Sequence, residues 1–425
     1  MQEEFLHYIW KYKKFQLFNL TTSSNQNLEI LSVGLHNLNS GPDFFNAKLK
    51  IDNQLWAGNV EIHINSSDWY LHNHEKDKNY DNVILHVVWN DNTEIFRKDN
   101  SIIPTLELKK FVLPQTLKNY NSLLLQNKQW INCEKDIADI DNFTINNWLD
   151  RLYLERLERK SKELILLQKK SKNNWEEVLF KMLSKNFGLK LNGDSFLSIA
   201  ESFDFSTLRK QQINLQNLES LFFGQANLLN KEIEDSYYIK LNETYNFLKH
   251  KYKLNNQAVL PIQFFRLRPL NFPTIRLSQL ATLYNKNQNL FSRIINANSV
   301  KVFYKIFNVK ASNYWDTHYN FGKESKKSEK KLSKSFIDLL LINSIVPLIF
   351  TYYKSLGKSE DEKIVTLMQD LKSEKNNIVN KFQELKINCK TALESQALIE
   401  LKTNYCSKNK CLQCAIGSAL LNRNM

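Results

Sequence analysis

The sequence predicts an α+β protein: a compact N-terminal module in which a mixed sheet carries flanking helices, followed by a larger all-α domain. Three observations carry this. Short segments rich in β-branched residues and bounded by Gly, Asn, Asp or Ser fill the first part of the chain. No proline interrupts the stretch between Pro114 and Pro261. From Thr116 onward, apolar residues recur with the helical period. We place the module at residues 1–115 and the helical domain at 116–425; a chain of 425 residues exceeds one core at roughly 150 residues per domain.

Residues 3–14 read as a short amphipathic helix with Phe5, Ile9 and Trp10 as its apolar points. Strands are expected at Leu28–Val33, Phe45–Ile51, Asn59–Ile64, Val83–Trp89 and Ile102–Leu108. In the second part, Leu149, Leu152, Tyr153 and Leu157, and then Trp175, Val178, Leu179 and Met182, follow the 3.6-residue pattern. The stretch 322–335, with six Lys, reads as an exposed loop.

Composition narrows the function classes. With 42% hydrophobic and 24% charged residues the chain is an ordinary packed protein. Neither a Walker A loop nor a GxGxxG occurs, which excludes the common nucleotide-binding fingerprints. The net charge is +14: residues 1–120 hold 12 bases against 14 acids, and the remainder 46 against 30. This asymmetry points to a polyanion such as DNA or RNA as partner, although 48 of the 58 bases are Lys, as AT-rich coding also produces. The acidic start Met1-Gln2-Glu3-Glu4 is unlike a secretory leader, and the apolar stretch 336–352 contains Asp338, Asn343 and Pro347, as suits a buried helix. A cytoplasmic protein without membrane spans is expected. The oligomeric state is not legible.

The chemistry concentrates in Gly41-Pro42-Asp43-Phe44 and Gly58-Asn59-Val60-Glu61-Ile62-His63. Asp43 precedes one strand, and Glu61 and His63 stand two apart on the next, so they share one face while Val60, Ile62 and Ile64 share the other. Paired carboxylates on adjacent strands are what Mg²⁺ or Mn²⁺ requires in order to activate water beside a phosphate. Six of the eight His lie in the first 90 residues. Asp68 and His72 are four apart, and with His74 they form secondary candidates. A rival reading is a zinc or non-haem iron site built from His63, His72, His74 and acids. Inside its apolar strand, His86 reads as a hydrogen-bonded packing residue.

Pro42-Asp43 followed by Glu61-Ile62-His63 resembles the PD-(D/E)xK nuclease-like pattern. The resemblance implies a restriction-nuclease-like mixed sheet, metal ligation by Asp43 and Glu61, and an additional acid at Glu4 on the first helix. Where that pattern carries Lys this chain has His63, so His63, or Lys48 or Lys50 on the neighbouring strand, is expected to activate water. Leu6-His7-Tyr8-Ile9-Trp10, Gly41-Pro42-Asp43-Phe44, Gly58-Asn59-Val60-Glu61-Ile62-His63, Ser67-Asp68-Trp69, Val83-Ile84-Leu85-His86-Val87-Val88 and the terminal cysteines resemble the bacterial family known as domain of unknown function 2851. That second resemblance spans essentially the whole chain and implies no activity.

Two further features lie in the second part. Arg266, Arg268 and Arg276 stand out in a chain with only ten Arg and are candidates to grip phosphates. Cys406, Cys411 and Cys414 form C-x4-C-x2-C, and with Cys133 or Cys389 they complete four thiolates for zinc or an iron–sulfur cluster. The expected function is metal-dependent nuclease or phosphodiesterase. The alternatives are a nuclease-like nucleic-acid-binding or scaffold protein without turnover, and a His-rich metal hydrolase of a small substrate.

Overall fold

A computed structural model describes residues 1–124 and 129–423. The chain folds as two compact units: Met1–Leu149 with Glu384–Ile387 and Glu400–Met425, and Asp150–Gln383 with Asn388–Ile399. The sequence reading put the division at 115 and left the C-terminal tail in the helical part; the chain instead brings its last 26 residues back to the sheet unit. The reason is apolar surface. Helix α3 (Pro114–Leu124) buries Thr116, Tyr120 and Leu123, and Tyr120 stacks on Phe5 with ring centroids 3.8 Å apart. The carbonyls of Leu421 and Arg423 then accept the Asn119 amide at 3.1 and 2.9 Å.

The first unit is α+β, as expected. Helix α1 (Glu3–Lys11) packs through Phe5, Leu6, Ile9 and Trp10, and the Trp10 indole donates to the Val33 carbonyl at 3.1 Å. Strands β1 (Leu28–Ser32), β2 (Leu35–His36), β3 (Phe44–Ile51), β4 (Gln54–Asn65), β5 (Val83–Asn90) and β6 (Thr105–Glu107) make one sheet ordered β1-β3-β4-β5-β6, with β2 on β3. β1, β3 and β4 run antiparallel; β4–β5 and β5–β6 are parallel. Parallel neighbours cannot be joined by a hairpin, so the chain between β4 and β5 must cross over before returning to the sheet. That crossover, containing the short helix α2 (Asp68–Leu71), carries His72 and His74. It is anchored by a buried cluster of Trp69, Tyr80, Val83, Ile95 and Ile103.

Register shifts occur between Phe44 and Ala47 on β3 and between Asn59 and Val60 on β4. Asn46 in the first has φ 57°, the left-handed conformation a bulge needs. β4 and β5 approach closely beside these shifts: a Cβ at Gly58 would lie 2.5 Å from Ile84 Cγ2 and 2.6 Å from the Asn82 carbonyl oxygen.

The second unit is helical. Its 22-residue apolar helix Lys334–Ser355 is long enough to cross a membrane, but 72% of its apolar window is buried inside the protein, as in a core helix. The Lys-rich stretch 322–335 is largely the exposed loop expected, with Lys330 and Leu332 as its buried points. Lys330 is buried and donates to the Asp316 carbonyl at 2.9 Å, while Ser325 and Ser328 pair with the backbone of Thr317 and Asp316. A lysine's apolar stem packs well once its ammonium has an acceptor.

Candidate metal centre

The sheet places Asp43 and Glu61 side by side. The Asp43 backbone N–H donates to Glu61 Oε2 at 3.2 Å, and the Ile62 N–H donates to Asp43 Oδ2 at 3.0 Å. Each carboxylate is thus fixed by the backbone of the other's strand. Parallel pairing puts His86 opposite Glu61. The His86 Nε2 lies 2.8 Å from His63 Nδ1, leaving His63 Nε2 to face His72 Nδ1 at 3.1 Å and Glu61 Oε1 at 3.5 Å. His74 Nε2 is 3.3 Å from the same Glu61 oxygen. The His74 ring stacks on Tyr80 with centroids 3.8 Å apart and meets Trp69 edge-on at 5.3 Å.

These spacings are informative. Ligands about 2.0–2.1 Å from a tetrahedral zinc-class ion lie about 3.4 Å from one another. The His63–His72 separation of 3.1 Å and the 3.3 and 3.5 Å from Glu61 to His74 and His63 are close to that edge, and the ligand atoms of the three imidazoles all lie within 4.8 Å of one another. A second group adjoins the Asp43 carboxylate: Glu3, His7 and Asp43 bring three ligand atoms within 4.8 Å of one another, with His7 Nε2 3.2 Å from Asp43 Oδ2.

Protonation follows from burial and crowding. Burial, then the neighbouring Asp43 and Glu3, push the Glu61 carboxyl far above the usual carboxylate range. Burial and Asp43 likewise raise Glu3 to about 6. Burial pulls His7 down, but its hydrogen bond to Asp43 and the nearby acids carry it above ordinary imidazole. Burial and the other imidazoles hold His63 down at about 3. Three carboxylates therefore share one partly buried place, and the charged groups that act on Glu61 are Asp43, Glu3 and His7. Such an arrangement is relieved by protons, as on Glu61, or by a cation.

The tautomers follow from the same contacts. If His63 Nδ1 donates to His86 Nε2, the lone pair of His63 Nε2 is directed at the centre, and His86 becomes the residue that orients it. His86 is thus the buried, hydrogen-bonded residue that its apolar strand suggests, with His63 as its partner.

Some sequence candidates lie elsewhere. Glu4 is exposed; the acid on α1 that joins the site is Glu3, one residue earlier and about 100° around the helix. Glu3 stands four before His7, a spacing that puts both on one face and was present in the sequence. Lys48 is exposed and pairs with Ala57, well along the strands from the Phe44–Val60 rung, and Lys50 pairs with Leu55 farther still. Asp68 accepts the Asn65 N–H at 2.9 Å and closes the turn after β4. In the second unit Arg266 and Arg268 are exposed, whereas Arg276 is buried, donates to Gln279 and Asn271, and lies 3.6 Å over the Phe336 ring. Arg276 is thereby committed to internal partners. Cys133, Cys406, Cys411 and Cys414 belong to the sheet unit, and Cys389 to the helical one.

The position of the acid on α1 yields a test. Glu3→Gln is expected to weaken Mn²⁺ binding about 10-fold or more, and Glu4→Gln to leave it within about 2-fold, as read by titration calorimetry. Equal effects would contradict the assignment of Glu3.

No curated protein and no solved structure matches the chain. A family model does match, over residues 3–377, a span that includes every residue of both ligand groups and stops before the terminal cysteines. The chain therefore belongs to the family described as protein of unknown function (DUF2851).

Proposed function

We propose that the sheet unit is a metal-dependent hydrolase of phosphodiester bonds, acting on nucleic acid in the cytoplasm. The observation that carries this is the convergence of His63, His72 and His74 within the reach of one ion, with Glu61 against His63 and His74 and with Asp43, Glu3 and His7 gathered next to it. The element order supports it too: Asp43 opens β3, Glu61 lies on the adjoining antiparallel β4, and β5 returns parallel after a crossover, as the PD-(D/E)xK-like pattern implies. The net charge of +14 suits a polyanionic substrate.

The imidazoles favour Mn²⁺, Fe²⁺ or Zn²⁺ over Mg²⁺ at the first position, while the acid-rich Glu3–His7–Asp43 group suits Mn²⁺ or Mg²⁺. A bound ion would acidify water and offset charge on the phosphate. Glu61 presents one oxygen to the imidazoles and the other to Asp43, so it links the two groups. His86 would hold His63 in its ligating tautomer. His7, braced on Asp43, is placed to take or give a proton, a role nearer to that of the absent Lys than His63 can fill, because His63 is held neutral.

To test the reading, the full chain is incubated with labelled single- and double-stranded DNA and RNA and with Mg²⁺, Mn²⁺ or Zn²⁺. Cleavage that requires the ion and disappears with chelator is expected. Salt-sensitive binding without any cleavage would instead establish a non-catalytic nucleic-acid binder. Ion binding has its own proton signature. Because metal-free Glu61 has a pKa raised to about 9, it holds a proton at neutral pH that a ligated metal must displace; His63, already neutral, has none to give. Calorimetry in two buffers of different ionisation enthalpy should show about one proton released per chain at pH 7, and fewer as the pH rises. No release would contradict ligation by Glu61.

A further inference from the structure

The first unit contains a second constellation, unrelated to the hydrolase reading. Cys133, Cys406, Cys411 and Cys414 line one cavity, together with Leu123, Leu401, Tyr405 and Asn132. All four cysteines are free thiols, and Cys133 lies within electrostatic reach of the other three although 273 residues separate it from Cys406. Cys406 and Cys411 each begin a single-turn 3₁₀ segment, and Cys414 precedes the terminal helix Ala415–Leu421.

The Asn132 side-chain amide donates to Cys411 Sγ at 3.3 Å. The backbone N–H groups of Ile416 and Gly417 face the Cys414 sulfur. Gly417 has no room for a side chain, since a Cβ there would fall 2.1 Å from the Cys411 carbonyl oxygen. Donors directed at cysteine sulfurs are the usual means of stabilising ligated thiolates.

The spacing discriminates between ions. Four thiolates on one zinc, at Zn–S about 2.3 Å, lie about 3.8 Å apart. Among the described residues, the His63 and Glu3 groups each bring three ligand atoms within 4.8 Å of one another, and no three of the four thiols that line the shared cavity do so. A larger inorganic core fits such a ring of sulfurs better than a single ion.

We propose that Cys133, Cys406, Cys411 and Cys414 ligate a four-iron iron–sulfur cluster that fastens the end of the chain to the sheet unit. Cys389, in the second unit beside Ser373 and Glu394, takes no part. Four protein thiolates leave no open coordination position, so the cluster holds structure and does not turn over substrate.

The full chain, purified anaerobically, should be brown and contain about four irons and four acid-labile sulfides per molecule. The colour should bleach with dithionite. Cys133→Ser should lower iron at least about 4-fold, and Cys389→Ser should leave it unchanged. If Cys133→Ser fails to fold, analysis of the wild type and of Cys389→Ser still decides. One zinc per chain, no metal at all, or loss of iron in Cys389→Ser would each overturn the proposal.

Discussion

Glu61→Gln is expected to lower metal-dependent cleavage on the order of 10³-fold, about 4 kcal/mol of transition-state stabilisation, while leaving the melting temperature nearly unchanged. The separation of activity from stability follows from protonation. In the metal-free protein Glu61 is buried beside Asp43 and holds its proton, so the neutral amide of Gln closely imitates the resting side chain. What Gln cannot do is become the carboxylate that faces His63 and His74 and links them to Asp43. Asp43→Asn should cost a similar factor through loss of the partner of His7. His86→Phe, which keeps ring volume but removes the Nε2 contact to His63, should cost less, roughly 10–100-fold, because it disorients a ligand without removing one. Cleavage assays and thermal melts on the three variants check this order. A Glu61→Gln variant of full activity would remove the carboxylate from the mechanism.

The second large effect concerns stability. Trp69→Ala should destabilise the sheet unit by about 3–5 kcal/mol, a fall on the order of 10 °C in melting temperature. Trp69 is 1% exposed and fills the centre of the cluster with Tyr80, Val83, Ile95 and Ile103. Its ring also stands 5.3 Å from His74 and 5.8 Å from His86, so the cavity left behind would release the crossover that carries His74. Metal affinity should therefore drop together with stability, unlike in Glu61→Gln. Trp69→Phe, which retains most of the volume, should recover much of both. Melting curves and Mn²⁺ titrations on the pair measure the coupling. A destabilised Trp69→Ala that binds Mn²⁺ normally would show the crossover to be positioned by other contacts.

Much of this site is legible in the sequence because strand geometry is regular. Alternation alone puts Glu61 and His63 on one face, and the Gly-Pro-Asp turn places Asp43 at the head of the adjoining strand. His72 and His74 come within reach because a parallel strand must follow the crossover, a property of topology that spacing only hints at. Misplacing the helix acid at Glu4 was an error of rotational phase: burial of Phe5, Leu6, Ile9 and Trp10 turns Glu3 and His7 toward Asp43. His86 is core, as its apolar neighbours on β5 suggest; that it meets His63 depends on the parallel register of β4 and β5, which no local pattern encodes. The same holds for the cysteines. Cys389 is nearer in sequence, and only the return of the C-terminus to α3 brings Cys133 into the cavity that Cys406, Cys411 and Cys414 line. Arg276 illustrates the opposite failure, since scarcity suggested a phosphate contact where the helix buries the side chain against Phe336.

The account rests on an ion held by the three imidazoles beside Glu61. Anomalous diffraction from crystals soaked in Mn²⁺, with data collected at the manganese edge, tests it most directly. We predict a peak about 2.0–2.3 Å from His63 Nε2, His72 Nδ1 and His74 Nε2, absent in a His63→Ala crystal treated identically. Wild-type crystals with no peak among these residues, at an Mn²⁺ concentration that supports cleavage, would contradict it.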